Sequence, residues 1–184
     1  MKIIEIVYLV VQILAVVLFV GSVQLKKKKN ILLCQTFASF CYAGAYFING
    51  GYSGMCTELL EQTKNFSFWC FERKDKKIPI GFLIFFLVLL CGCAVVTYNG
   101  MFSLFPYVIN IVYFVSSYFK NPKYIRFSVF ICGFLWLAYN ITTGAYIICI
   151  GNTFEIISGG ISLLRFKNEG NKKKRTNRKK VKVH

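Results

Sequence analysis

The chain has one histidine, three prolines and seven acidic residues among its 184. Each scarcity removes a class of function. The histidine is His184, the last residue, so a histidine-based zinc site or a nucleophile paired with an imidazole has nothing to build on. There is no P-loop and no HExxH pattern. The chain therefore reads as a non-enzyme without metal or cofactor. The eight cysteines do not supply the missing ligands. All fall inside apolar segments, whereas disulfide frameworks place them in loops of small, core-poor domains. Cys91-Gly-Cys93 is too tight for the CxxC spacing of zinc and redox sites. These cysteines read as small apolar residues.

What the chain has instead is apolar length. It is 56% hydrophobic and 17% aromatic, and several stretches run uncharged for about 18 residues, the span of a hydrocarbon core. Seven segments can be drawn, at 3–25, 31–49, 52–71, 78–98, 102–119, 124–142 and 146–166. The first is longer than a signal-peptide core and has no clear small-residue cleavage site, so it reads as a retained helix. The third is the least apolar. It holds Glu58, Glu61 and Lys64, each of which costs about 2.5–3.5 kcal/mol at the centre of a membrane helix.

The charge pattern requires that third segment to cross. Of 23 basic residues, 21 sit in four places: Lys26–Lys29; Arg73, Lys74, Lys76 and Lys77; Lys120, Lys123 and Arg126; and the tail from Arg165. The intervening turns, Gly50-Gly51, Asn99-Gly100-Met101 and Thr143-Gly144-Ala145, carry no charge. Basic loops mark the cytoplasmic side. The alternation works only with seven crossings, N-terminus outside and tail inside. The net charge of +16 is thus a topology signal. The tail at 167–184 is expected to be disordered and to lie on anionic lipid headgroups, each basic residue giving about 1 kcal/mol near the surface. No aromatic residue interleaves its basic run, so nucleic acid is not expected as a partner.

A shift of 94 residues lays one half of the chain on the other. Lys26 falls on Lys120, Lys29 on Lys123, Gly50 on Gly144, Tyr52 on Tyr146 and Glu61 on Glu155. The implied fold is an all-α membrane protein with two parallel three-helix repeats, 3–71 and 102–166, joined by a linker helix at 78–98. The membrane domain is 1–166, and the layout allows a homo-oligomer. In the last segment, Gly159-Gly160 with Ser158 and Ser162 reads as a close-packing surface.

Glu61 and Glu155 are the most informative pair. Each lies nine residues into its segment, about 14 Å along a helix axis and near the middle of a ~30 Å core. Ionisable groups at that depth face the bundle interior or a wet cavity. Two such carboxylates sharing a low-dielectric cavity would not both stay ionised, so they are candidates for proton or cation coupling. Lys64, three residues from Glu61, could instead pair with it locally. Glu58 lies a turn nearer the outer surface and aligns with Asn152. Trp136, Tyr139 and Asn140 form a group on segment six, with Trp136 and Asn140 on one face. Glu58, Trp136, Tyr139, Asn140 and Asn152 are the candidate solute-binding residues. For the asparagines the competing role is a helix–helix hydrogen bond, and for Trp136 an interfacial belt.

The run LKKKKNILLCQTFASFCYAGAYFINGGYSG resembles the first half of the bacterial YgjV-like inner-membrane family, and FPYVINIVYFVSSYFKNPKYIRFSVFICGFLWLAYNITTGAY resembles its second half. The resemblance implies a multi-pass protein of the cell (inner) membrane. That family is similar in layout to the SWEET and PQ-loop families, which move small solutes. By that likeness, an asparagine on the third helix of a repeat, here Asn152, would touch the solute, and a tryptophan such as Trp136 would stack on it. The chain departs from those families in lacking a Pro-Gln dipeptide. Its only prolines are Pro79, Pro106 and Pro122, so most hinge prolines of SWEET-type gating are absent. The expectation is a SWEET-like small-solute facilitator or proton-linked transporter with its site between the repeats. The alternative is a non-transporting scaffold or accessory protein.

Overall fold

A computed structural model describes the backbone of residues 3–144 and 146–181. Side chains are described within these residues as far as Phe166, residue 147 excepted. The side chains of the basic tail, 167–184, lie outside them. There are seven α-helices among the described residues and no strand: α1 (Ile3–Ser22), α2 (Lys28–Ile48), α3 (Tyr52–Arg73), α4 (Ile80–Val96), α5 (Phe105–Tyr118), α6 (Lys123–Thr142) and α7 (Tyr146–Val181). A 3₁₀ turn, Met101–Leu104, leads into α5. Four of the described stretches are long and apolar enough to cross a membrane: α1, α2, α6, and the 3₁₀ turn continued through α5. Helix α4 is apolar throughout and 17 residues long. Helix α3 falls outside that class because it carries Glu58, Glu61, Lys64, Glu72 and Arg73. It hides most of this charge: Glu58, Glu61 and Lys64 are all buried.

The helices close into a ring in which α1 meets α2 and α7, α3 meets α2 and α5, and α6 meets α5 and α7. Helix α4 lies against the α3–α5 seam. It buries one stripe, Leu83, Phe86 and Leu90, at the spacing that places residues on a single helix face. Phe86 meets Phe68 of α3 and Phe114 of α5 edge-on, with ring centroids 6.4 and 6.1 Å apart. The rest of α4, like most of α1, presents Val, Ile, Leu and Phe outward. In water such a surface would be an aggregation hazard, and in lipid it is the solvent-facing side.

Helices α6 and α7 approach closely because small residues line their contact. A methyl group built on Gly133 would stand 2.5 Å from Ile156 Cγ1, and one on Gly159 would stand 3.2 Å from the backbone nitrogen of Phe130. A side chain at Gly133 would force Ile156 to shift, and one at Gly159 would press on the Phe130 backbone, so the small residues set the close approach of this seam.

The α2–α3 and α6–α7 turns are built alike. Gly50 and Gly144 take φ of +75° and +71°, a left-handed conformation that costs any residue with a Cβ. In each turn the preceding residue donates to the carbonyl four back, Asn49 to Ala45 and Thr143 to Tyr139, both at 3.1 Å. Each glycine then donates to the carbonyl three back, Phe47 and Ile141, both at 3.3 Å. Partner for partner, the two turns stand 94 residues apart.

At the opposite end of the bundle, side chains tie the helices together. Arg126 of α6 donates from Nε to the Val23 carbonyl at 3.0 Å and from Nη2 to the Leu25 carbonyl at 2.7 Å. Its guanidinium also lies 3.8 Å from the Phe166 ring centroid. Lys28 bonds Glu72 at 2.8 Å, closing α2 onto α3.

Candidate functional site

Between these ends the bundle is polar. Helix α7 places Asn152 and Glu155 one turn apart, so both point inward. Asn152 Nδ2 donates to Glu155 Oε2 at 3.3 Å, and Tyr42 of α2 donates to Glu155 Oε1 at 2.5 Å. Asn152 Oδ1 accepts from Asn140 Nδ2 of α6 at 2.8 Å, and Asn140 Oδ1 accepts from the Tyr46 hydroxyl at 3.1 Å. The result is a continuous relay, Tyr46–Asn140–Asn152–Glu155–Tyr42, joining α2, α6 and α7. Every member is buried, so each bond satisfies a group that would otherwise be stranded in a low-dielectric interior.

Helix α3 supplies a second cluster. Lys64 is wholly buried and donates to Glu61 Oε1 at 2.7 Å and to Ser117 Oγ of α5 at 3.2 Å. Asn65 Nδ2 also donates to Glu61 Oε1, at 2.9 Å. The Lys64 ammonium lies 4.8 Å from the Phe114 ring centroid and 5.8 Å from that of Phe68. Both distances are within cation–π range. The local pairing of Lys64 with Glu61, weighed in the sequence, is therefore present.

The clusters meet at a small central cavity of about 20 Å³, lined by Glu58, Glu61, Glu155, Asn152 and Trp136 among others. Three carboxylates thus border one space, with Lys64 the buried cation beside them. Three polar atoms on this wall, Ser39 Oγ, Glu61 Oε2 and the Tyr113 hydroxyl, are buried without a hydrogen-bond partner. A water molecule needs about 10–15 Å³, so the space admits one water-sized occupant. A solute the size of a sugar does not fit in this conformation, since small-molecule sites run to about 300 Å³ and above.

Larger openings lie on either side. One, about 470 Å³, sits at the glycine-turn end and is lined by Gly50, Ser53, Thr97, Tyr139 and Thr143 among others. At its edge Ser53 Oγ and the Tyr139 hydroxyl share a 3.0 Å hydrogen bond. The other, about 250 Å³, is lined by Glu72, Asp75, Lys76, Lys77 and Lys120 with their neighbours. A further groove of about 470 Å³ runs between α1 and α7. It is lined almost wholly by aliphatic and aromatic residues and lies away from the carboxylates.

Of the residues singled out in the sequence, Glu58, Glu61, Glu155, Asn152 and Trp136 line the central cavity. Asn140 joins it through Asn152. Tyr139 borders the opening at the glycine-turn end instead. Lys64 reaches the cavity only through Glu61. Trp136 already has ring partners: it stacks on Tyr46 at 5.9 Å and 24°, and meets Tyr139 edge-on at 5.7 Å. Sequence reasoning missed Tyr42, Tyr46, Tyr113 and Ser117, which resemble ordinary packing residues of apolar helices. The 94-residue shift held a signal for two of them, since it lays Tyr42 on Trp136 and Tyr46 on Asn140. No group of three or more His, Cys, Asp or Glu side chains converges as a metal centre among the described residues.

Compared with known proteins, residues 6–170 match the Imp-YgjV family model, described as a bacterial inner membrane protein. No curated protein and no solved structure matches the chain.

Proposed function

The chain thus belongs to the Imp-YgjV family of bacterial inner membrane proteins, and from that premise we propose that it is a small-solute facilitator or proton-linked transporter. In this reading α1–α3 and α5–α7 are two parallel repeats with α4 as linker, the N-terminus is outside, and the basic tail rests on anionic headgroups in the cytoplasm. One observation carries it: three carboxylates border a small central cavity, with larger openings toward either end of the bundle. Buried charge is expensive in a membrane helix and is retained there for ion or substrate pathways. In this reading the small central cavity corresponds to an occluded state. Separating the Tyr46–Asn140 and Ser53–Tyr139 contacts would join the central space to the outer opening, and breaking the α2–α3 closure at Lys28–Glu72 would open the other end.

The test is a solute-uptake screen in proteoliposomes under an imposed proton gradient. Uptake that responds to the gradient, and loses that response when Glu61→Gln and Glu155→Gln are combined, is the expected result. Retained gradient dependence in the double variant would overturn proton coupling. Absence of uptake across the screen would favour a non-transporting scaffold, a reading supported by the small size of the central cavity.

A further inference from the structure

The transport reading leaves open what the central cavity holds. Size, charge and donor type converge on one class of occupant. The space of about 20 Å³ is that of a single water molecule or a small ion. Its walls carry Glu58, Glu61 and Glu155, while Lys64 is already committed to Glu61 Oε1 and Ser117. Three oxygens on that wall have no partner in the protein, Ser39 Oγ, Glu61 Oε2 and the Tyr113 hydroxyl, and their residues are only 1%, 6% and 7% exposed. A proton added to a carboxylate needs no void and leaves the tyrosine oxygen unused. A hard monovalent cation uses all three features, because carboxylate and hydroxyl oxygens are its natural ligands and its charge offsets the excess of carboxylates. A transition-metal centre is not built, since no histidine or thiolate set converges there.

We propose that the cavity between Glu58, Glu61 and Tyr113 is a binding site for a monovalent inorganic cation of about the size of water, the class of Na⁺ and K⁺. The proposal rests on the transport reading only in naming the site's purpose, as the seat of a coupling or transported ion.

The experiment is thermal unfolding of the purified full-length chain in detergent, with NaCl or KCl replacing N-methyl-D-glucamine chloride at constant ionic strength. A saturable rise in Tm with Na⁺ or K⁺ is expected, because a ligand that binds only the folded state stabilises it. Tyr113→Phe removes a hydroxyl that has no protein partner and keeps the ring, so its Tm in N-methyl-D-glucamine should match the parent. Its apparent cation affinity should fall about tenfold, as for loss of a group supporting a bound ion. Glu58→Gln should weaken the cation response as well. Equal Tm values in all three salts would overturn the proposal, as would a Tyr113→Phe protein with unchanged cation affinity. Cation-dependent melting without solute uptake keeps the site and removes the facilitator reading. Uptake from a protein whose melting ignores the cation does the reverse.

Discussion

Tyr46 donates its hydroxyl proton to Asn140, and the two residues stand 94 positions apart, the interval that also separates Glu61 from Glu155. In a structure made of two like halves, a residue can touch its own counterpart only close to the axis that relates them. Under the proposed repeat arrangement, this 3.1 Å bond marks where the axis passes. The central cavity, with Glu61 on one wall and Glu155 on another, lies beside it.

The ion pair within α3 makes a direct stability prediction. Lys64 and Glu61 are buried together, and removing one partner of a buried pair strands the other, at a cost of about 3–5 kcal/mol. Lys64→Met should therefore lower Tm sharply. Adding Glu61→Gln to that variant should recover most of the loss, because no charge is then left unpaired and Asn65 can still donate to the new amide. Thermal melts of the two single variants and the double variant in detergent measure this. A double variant no more stable than Lys64→Met alone would contradict it.

The two glycine turns should respond to substitution in the same way. Around both Gly50 and Gly144 the space is open, with no atom within 4 Å of an added methyl, so only backbone conformation is at stake. Gly50→Ala and Gly144→Ala should each cost about 1–2 kcal/mol, the penalty of a left-handed residue with a Cβ. Gly21→Ala is the control. That glycine is also in open space but within α1, where alanine is favoured by about 0.8–1.0 kcal/mol over glycine. Opposite signs in the melting shifts of control and turn variants are expected.

Whether α3 crosses the membrane is decided by labelling. Tyr52 and Lys74 are exposed at the two ends of α3. In a background with the native cysteines replaced, Tyr52→Cys should react with an impermeant maleimide from outside intact cells, and Lys74→Cys only after lysis. Reaction of both from the same side would remove one crossing and the parallel-repeat arrangement with it.

The first six helices were legible in the sequence to within a few residues, because uncharged length and the charge-free glycine turns dictate them. Helix α7 instead runs on to Val181, past the expected end at 166 and into the tail expected to be disordered, since its apolar stretch ends there but its backbone hydrogen bonding does not. The exception in kind is α3, whose charges argue against a membrane segment when read singly. They fit once α2 and α5 are seen to bury Glu61 and Lys64 among Ser117, Asn65 and Phe114. Individual polar residues were also legible, since Asn140, Asn152 and Glu155 stand out in apolar surroundings. Their partners were not. Tyr42 and Tyr46 become hydrogen-bond donors only because α2 faces α6 and α7, and helix pairing is set by tertiary contact. Cavity volume is further from the sequence still: Trp136 and Asn152 suggested room for a hydroxylated solute, but the stacking of Trp136 on Tyr46 fills much of that room.

The Arg126 contacts carry a consequence for how the protein is made. Its guanidinium serves the Val23 and Leu25 carbonyls from 103 and 101 residues further along the chain. A ribosome delivering this protein to the membrane finishes α1 long before that guanidinium exists. The end of α1 must rely on water or headgroups until α6 arrives, so the first helix is fixed in place among the last. A nascent chain halted before residue 126 would lack both the Arg126 contacts and the packing of α1 on α7, and should be cleared by membrane proteases faster than one halted after α7.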